Sequence, residues 1–137
     1  MTRNDSPEKR WEQRLESLQR AHSVLSSCVS DAHQDEKSDL AIIKAFEMAF
    51  ELAWKTLQDV LSYEGISTLG ARSAIKAAFG RGLVSDGRLW LKMLDQRNTL
   101  VHVYDAQAAT EAVDRIREKY FGAVTELVTK LQGYAKG

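Results

Sequence analysis

A chain of 137 residues with 19 basic and 19 acidic side chains and no formal net charge is long enough to bury about 65–70% of its unfolded surface in one core. Its single cysteine, Cys28, excludes an intrachain disulfide and a cysteine-built zinc site, and such sparing use is typical of a reducing compartment. The opening residues MTRNDSPEKRWEQR carry charge throughout, and nowhere do 18 uncharged apolar residues follow one another; the expectation is a soluble, cytoplasmic protein, one domain over residues 1–137, with no membrane association.

One proline, Pro7, and no run of alternating β-branched residues predict an all-α protein. Ser6 followed by Pro7 is a helix-start signal. Trp11, Leu15, Leu18, His22, Leu25 and Val29 then recur at helical spacing and give the first helix one buried stripe. Residues 31–38 form a polar connection, with Ser38 able to cap a second helix that runs to about Tyr63 and stops at Glu64-Gly65.

That second helix is apolar around most of its circumference, so it belongs at the centre of the fold or at a subunit interface. Its polar residues Lys44, Glu47, Glu51, Lys55 and Gln58 make one narrow line. Glu51 and Lys55 are a favourable pair four apart, whereas Glu47 and Glu51 repel mildly at the same spacing. An arginine from another helix would relieve that repulsion.

A shorter third helix is predicted after Ser67 or Thr68 and ends at the glycines 80 and 82. Gly80-Arg81-Gly82 reads as a helix end, because it lacks the preceding strand and the Gly-Lys-Ser/Thr ending of a phosphate loop. The fourth helix covers residues 86–102, with Leu89, Trp90, Met93, Leu94, Leu100 and Val101 as its buried side. Asp105 caps the fifth, whose stripe is Ala109, Val113, Ile116, Tyr120, Val124, Leu127 and Leu131. Four long helices and one short one predict an up-down bundle.

Charge is unevenly spread along this bundle. Residues 1–69 carry 8 basic and 12 acidic side chains, residues 70–104 carry 6 and 2, and residues 105–137 carry 5 of each. The middle third is either a solvated basic face or a surface that meets phosphate or an acidic partner. The three histidines, His22, His33 and His102, fall on different elements, and no pair has the spacing of a helical zinc site; neither metal nor cofactor is expected.

The stretch DQRNTLVHVYD, residues 95–105, places Arg97, Asn98, His102 and Tyr104 among apolar residues. A buried polar group without a partner costs about 1–3 kcal/mol, so the cluster lies at a helix end or has a task. On a regular helix Asn98 and His102 are about 40° apart and share a face, whereas Arg97 and His102 are about 140° apart and do not. Convergence therefore needs the helix end, or two chains. A purely structural assignment is also open: Arg97 pairs with a bundle carboxylate, Asn98 and His102 finish the helix, and Tyr104 packs.

Arg97-Asn98-Thr99-Leu100-Val101-His102, extended by Tyr104, resembles the R-x-x-x-x-H-x-Y motif of the HEPN superfamily of helical bundles. FEMAFELAWKTLQDVL (46–61), the AIKAAF segment and WLKMLDQRNTLVHVY are similar to its nucleotidyltransferase substrate-binding family, over roughly residues 10–132. The resemblance implies a bundle like the helical domain of kanamycin nucleotidyltransferase, a homodimer, and a separately encoded minimal nucleotidyltransferase as partner in a toxin–antitoxin pair. It further implies metal-independent cleavage of RNA, with Arg97, Asn98 and His102 as catalytic residues and Tyr104 as the acceptor of AMP from the partner; the charge line on the second helix separately predicts Glu47 and Glu51 as supporting carboxylates that hold Arg97. The alternative it leaves open is a non-catalytic subunit that presents substrate to the nucleotidyltransferase.

Overall fold

The computed structural model describes residues 7–100 and 105–136. Within them every regular element is helical: α1 Pro7–Ser30, α2 Glu36–Tyr63, α3 Gly70–Gly80, α4 Gly87–Leu100, α5 Ala106–Arg115 and α6 Phe121–Lys136, with α5 and α6 joined through a π-helical turn at Ile116–Tyr120. The expected all-α bundle is what forms. No helix among the described residues is long and apolar enough to cross a membrane.

Because α2 is apolar almost all round, it takes the centre, and α1, α3, α4, α5 and α6 each pack against it. Ala45, Ala49 and Ala53, one turn apart and all buried, leave room for neighbouring backbones to approach. Phe46 and Phe50 fill the remaining space, Phe46 stacked on Tyr120 with centroids 5.5 Å apart and Phe50 on Trp90 at 6.0 Å. Both phenylalanines are fully buried. Truncating either would cost about 3–5 kcal/mol.

Helix boundaries depart from the sequence reading in three places. Asp35, not Ser38, caps α2: its carboxylate accepts the Ser38 backbone N–H at 2.8 Å, which makes Ser38 the third helical residue and puts Glu36 and Asp39 at the positive helix end. Neither Ser67 nor Thr68 caps α3; its N-cap is Leu69, whose N–H is instead taken by Ser73 Oγ from within the helix at 3.3 Å. The predicted fifth helix contains the π turn, which holds both Ile116 and Tyr120 in the core while Arg117 hydrogen-bonds the Val29 carbonyl on α1. Such a turn has no signature in hydrophobic spacing, since the buried residues still recur at intervals of three and four.

Gly82 fulfils its predicted role as a helix stop. With φ of 75° it takes the left-handed conformation that L side chains resist. The Gly82 N–H then bonds Phe79 O at 3.1 Å and the Leu83 N–H bonds Ala78 O at 2.8 Å. This closed turn sends the chain directly back into α4.

Candidate functional site

Three consecutive residues near the end of α4 fix its orientation. About 100° separates each from the next, so they reach three different helices: Asp95 meets Arg72 of α3 at 3.2 Å, Gln96 accepts from Arg115 of α5 at 2.9 Å, and Arg97 donates to Glu51 of α2 at 2.8 Å. The exposed Arg72–Asp95 pair adds little stability. Their joint effect is to fix where Arg97 points.

Arg97 is the better buried of these arginines, with 26% of its side chain exposed against 52% for Arg72. Its guanidinium carbon lies 5.8 Å from the centroid of the Phe50 ring, a favourable cation–π distance. Glu51 takes Arg97 on Oε2, where the Trp54 indole N–H also donates at 3.1 Å, and Lys55 on Oε1 at 3.3 Å. Of the two carboxylates expected to face an arginine, Glu51 therefore makes the contact, and Glu47 lines the same cleft. Trp54 was missed by the sequence reading, although its place three residues after Glu51 made an indole-to-carboxylate bond available.

Burial works against the Glu51 charge, but hydrogen bonds from Trp54 and Lys55 and the positive fields of Arg97 and Lys55 outweigh it and hold the pKa below the usual 4.5. A folded-state pKa below the unfolded one means stability that is full above about pH 4.5 and is lost as pH falls through the folded value. Glu51→Gln should accordingly flatten the acid limb of a thermal-midpoint profile taken between about pH 5 and 3. An unchanged acid limb would show that the charge network adds nothing to stability.

The cleft at Arg97 has a volume of about 400 Å³ and is lined by Lys44, Glu47, Met48, Glu51, Leu52 and Arg97. The guanidinium Nε is shielded from solvent and finds no acceptor among the described residues. The part of the side chain that stays exposed, 26% of it, lines the cleft beside an already neutralised carboxylate and is where an anion would be met. Lys44, at the far end of the polar line, adds a second cation to the same cleft. Asn98 is exposed on the adjoining face of α4. His102 and Tyr104 lie outside the described residues, so the structure brings together Arg97, Glu51 and Glu47 of the predicted set.

On either side of residues 101–104, Leu100 and Asp105 line a second pocket, of about 430 Å³, together with Asp35, Glu36 and Asp39 at the start of α2. Asp105 caps α5 as predicted, accepting the Gln107 N–H at 3.0 Å. Among the described residues no group of three or more His, Cys, Asp or Glu side chains is arranged to hold a metal ion. This acidic rim joins two elements distant in sequence, which is why reading along the chain did not reveal it.

A central helix clad by shorter ones, with one arginine of α4 drawn onto its glutamate, makes the chain an all-helical bundle. The family model for nucleotidyltransferase substrate binding protein like sequences matches residues 13–133, and the chain belongs to that family. It is 31% identical over 72 residues to the probable ribonuclease HepT of Haemophilus influenzae, a match spanning 49% of each chain, so the comparison reaches about half of that relative's length. Two solved structures are similar over most of their length. A Thermus thermophilus protein has a TM-score of 0.73 and 26% identity, covering 88% of this chain and 99% of that one. A Haemophilus influenzae protein described as having the fold of a substrate binding domain of a nucleotidyltransferase has a TM-score of 0.72 and 25% identity, over 86% and 98%.

Proposed function

We propose that this chain is a metal-independent ribonuclease of HEPN type, a toxin restrained by a separately encoded minimal nucleotidyltransferase that attaches AMP to Tyr104. The observation that carries the reading is Arg97, oriented by Glu51 and Phe50 on the wall of a cleft to which part of its side chain stays exposed. The relative named probable ribonuclease HepT supports it.

In the proposed reaction the ribose 2′-oxygen attacks the adjacent phosphorus as its proton leaves, and the bond from phosphorus to the 5′-oxygen breaks as that oxygen gains a proton. The products are a 2′,3′-cyclic phosphate and a free 5′-hydroxyl. A group with a pKa near neutral suits both proton movements, and His102 is that group. Arg97 stabilises the charge gathered on the phosphorane. Asn98 orients His102 or the phosphate.

Two copies of the chain form the active particle in this reading, because Arg97 and His102 diverge by about 140° on one regular helix. The surface supports a mate. An apolar groove of about 270 Å³ between α1 and α2, lined by Val24, Ala45, Met48 and Leu52 among others, shares Met48 and Leu52 with the Arg97 cleft. Val24, Leu40 and Met48 are 55%, 59% and 52% exposed. Light scattering at tens of micromolar should give a dimer, and Met48→Glu should give a monomer; a monomeric wild type removes this part of the reading.

The second reading, a subunit that binds substrate for the nucleotidyltransferase without cleaving anything, is favoured by the family's own description. Purified chain incubated with RNA separates the two. Cleavage, together with growth arrest when the chain is expressed alone, supports the ribonuclease; failure of both on every RNA tested leaves the binding subunit.

A further inference from the structure

The ribonuclease reading leaves unused the basic surplus of residues 70–104. Of its cations, Arg72 is engaged by Asp95, Arg81 by Glu64 and Arg97 by Glu51. Lys92, which lines a different pocket, makes no ion pair among the described residues, and neither do Lys76 and Arg88. Both stand on the rim of one groove of about 420 Å³ between α3 and α4, over a floor formed by Ile75, Phe79 and Leu91.

Phe79 sets the character of that floor. The residue is 54% exposed and its side chain lies against the backbone at Gly87, where an added Cβ would come within 2.9 Å of Phe79 Cγ and 3.2 Å of its Cβ. Absence of a side chain at position 87 is thus what lets the ring lie where it does. The single acid in the lining, Asp86, is occupied in capping α4, accepting the Leu89 N–H at 3.0 Å.

An open aromatic face flanked by unpaired cations is the combination that holds single-stranded nucleic acid: bases stack on the ring and the cations follow the phosphates. Position along α4 ties this groove to the candidate site. Leu91 and Asn98 are seven residues apart, so they point within about 20° of each other at a separation of about 10.5 Å along the axis, and Arg97 points about 120° round the helix from Leu91, so a strand leaving the groove passes Asn98 to reach it.

We infer that the α3–α4 groove binds a single-stranded stretch of the RNA substrate beside the scissile phosphodiester, one base stacking on Phe79 and its phosphates paired with Lys76 and Arg88. The identity of the ligand rests on the ribonuclease reading. An apolar acidic peptide of the nucleotidyltransferase would meet the same charges but has no need of an open ring face, so RNA is the occupant the groove fits.

The test uses the full chain carrying His102→Ala, so that bound RNA survives, and fluorescence anisotropy with a mixed-sequence single-stranded RNA. Phe79→Ala should weaken binding about 5- to 150-fold, the range for losing one stacked base, while Phe79→Trp should retain it. Gly87→Ala should behave like Phe79→Ala without changing the aromatic or the charge, because its Cβ displaces the ring. Removing both Lys76 and Arg88 should lower the slope of log affinity against log salt by about 1.4. In the cleaving parent, Phe79→Ala should raise KM at nearly constant kcat.

RNA affinity within twofold of the parent for Phe79→Ala and for the double cation variant overturns the inference. If the parent meanwhile cleaves RNA, the ribonuclease reading stands without it. RNA binding that depends on Phe79 in a chain that never cleaves keeps the groove and removes the ribonuclease. Variants that bind RNA normally but fail to retain the nucleotidyltransferase would make the groove a protein docking face and overturn the inference.

Discussion

Arg97→Ala should abolish RNA cleavage and the growth arrest that accompanies it, with a loss of at least about 10²–10³-fold, the cost of removing one preorganised donor from developing charge. The structure makes this substitution clean. Glu51 keeps the Trp54 indole N–H and Lys55 when the guanidinium goes, so its carboxylate remains hydrogen-bonded and the buried wall of Phe46, Phe50 and Trp90 is untouched. The helical circular dichroism should therefore be unchanged, and the thermal midpoint should fall by only a few degrees. Arg97→Lys should recover little activity, because an ammonium retains charge but lacks the planar fork that can hold Glu51 and a phosphate together. Cleavage by Arg97→Ala within about tenfold of wild type would remove the arginine from the chemistry and return it to the structural role it already has with Glu51.

How far these residues could be read in advance follows from the range over which each signal acts. The apolar girth of α2 announced its central place, because burial on every side is written along one continuous segment. Asp105 was legible as a cap because its partner, the Gln107 N–H, lies two residues away. Ser38 misled because Asp35 and Ser38 are equally good caps by type and only the course of the chain entering α2 decides between them. At the site, a carboxylate partner for Arg97 was visible as a like-charge line on α2 in want of a cation. Phe50 beneath the guanidinium was not visible, since 47 positions separate the two residues and only packing joins them. The groove at Phe79 was hidden for the same reason: its basic surplus could be counted, but the open ring face depends on Gly87, a residue that the sequence presents merely as the start of a helix.

Tyr104→Phe should separate neutralisation from cleavage. The phenol follows the proposed catalytic histidine by two residues and precedes the Asp105 cap of α5, at a junction between helices that a partner enzyme could engage. A nucleotide attached there through a phosphodiester adds bulk and a negative charge that competes with substrate phosphate for Arg97. Intact mass after incubation with the nucleotidyltransferase and ATP is the measurement. Wild type should gain nucleotidyl mass and lose cleavage, whereas Tyr104→Phe should gain none, keep cleaving and continue to arrest growth in the presence of the partner. Mass gained equally by both would move the acceptor to another side chain. No gain on wild type, with no cleavage of any RNA, would leave the chain as a binding subunit in which Arg97 and Glu51 hold α4 against α2 and do no chemistry.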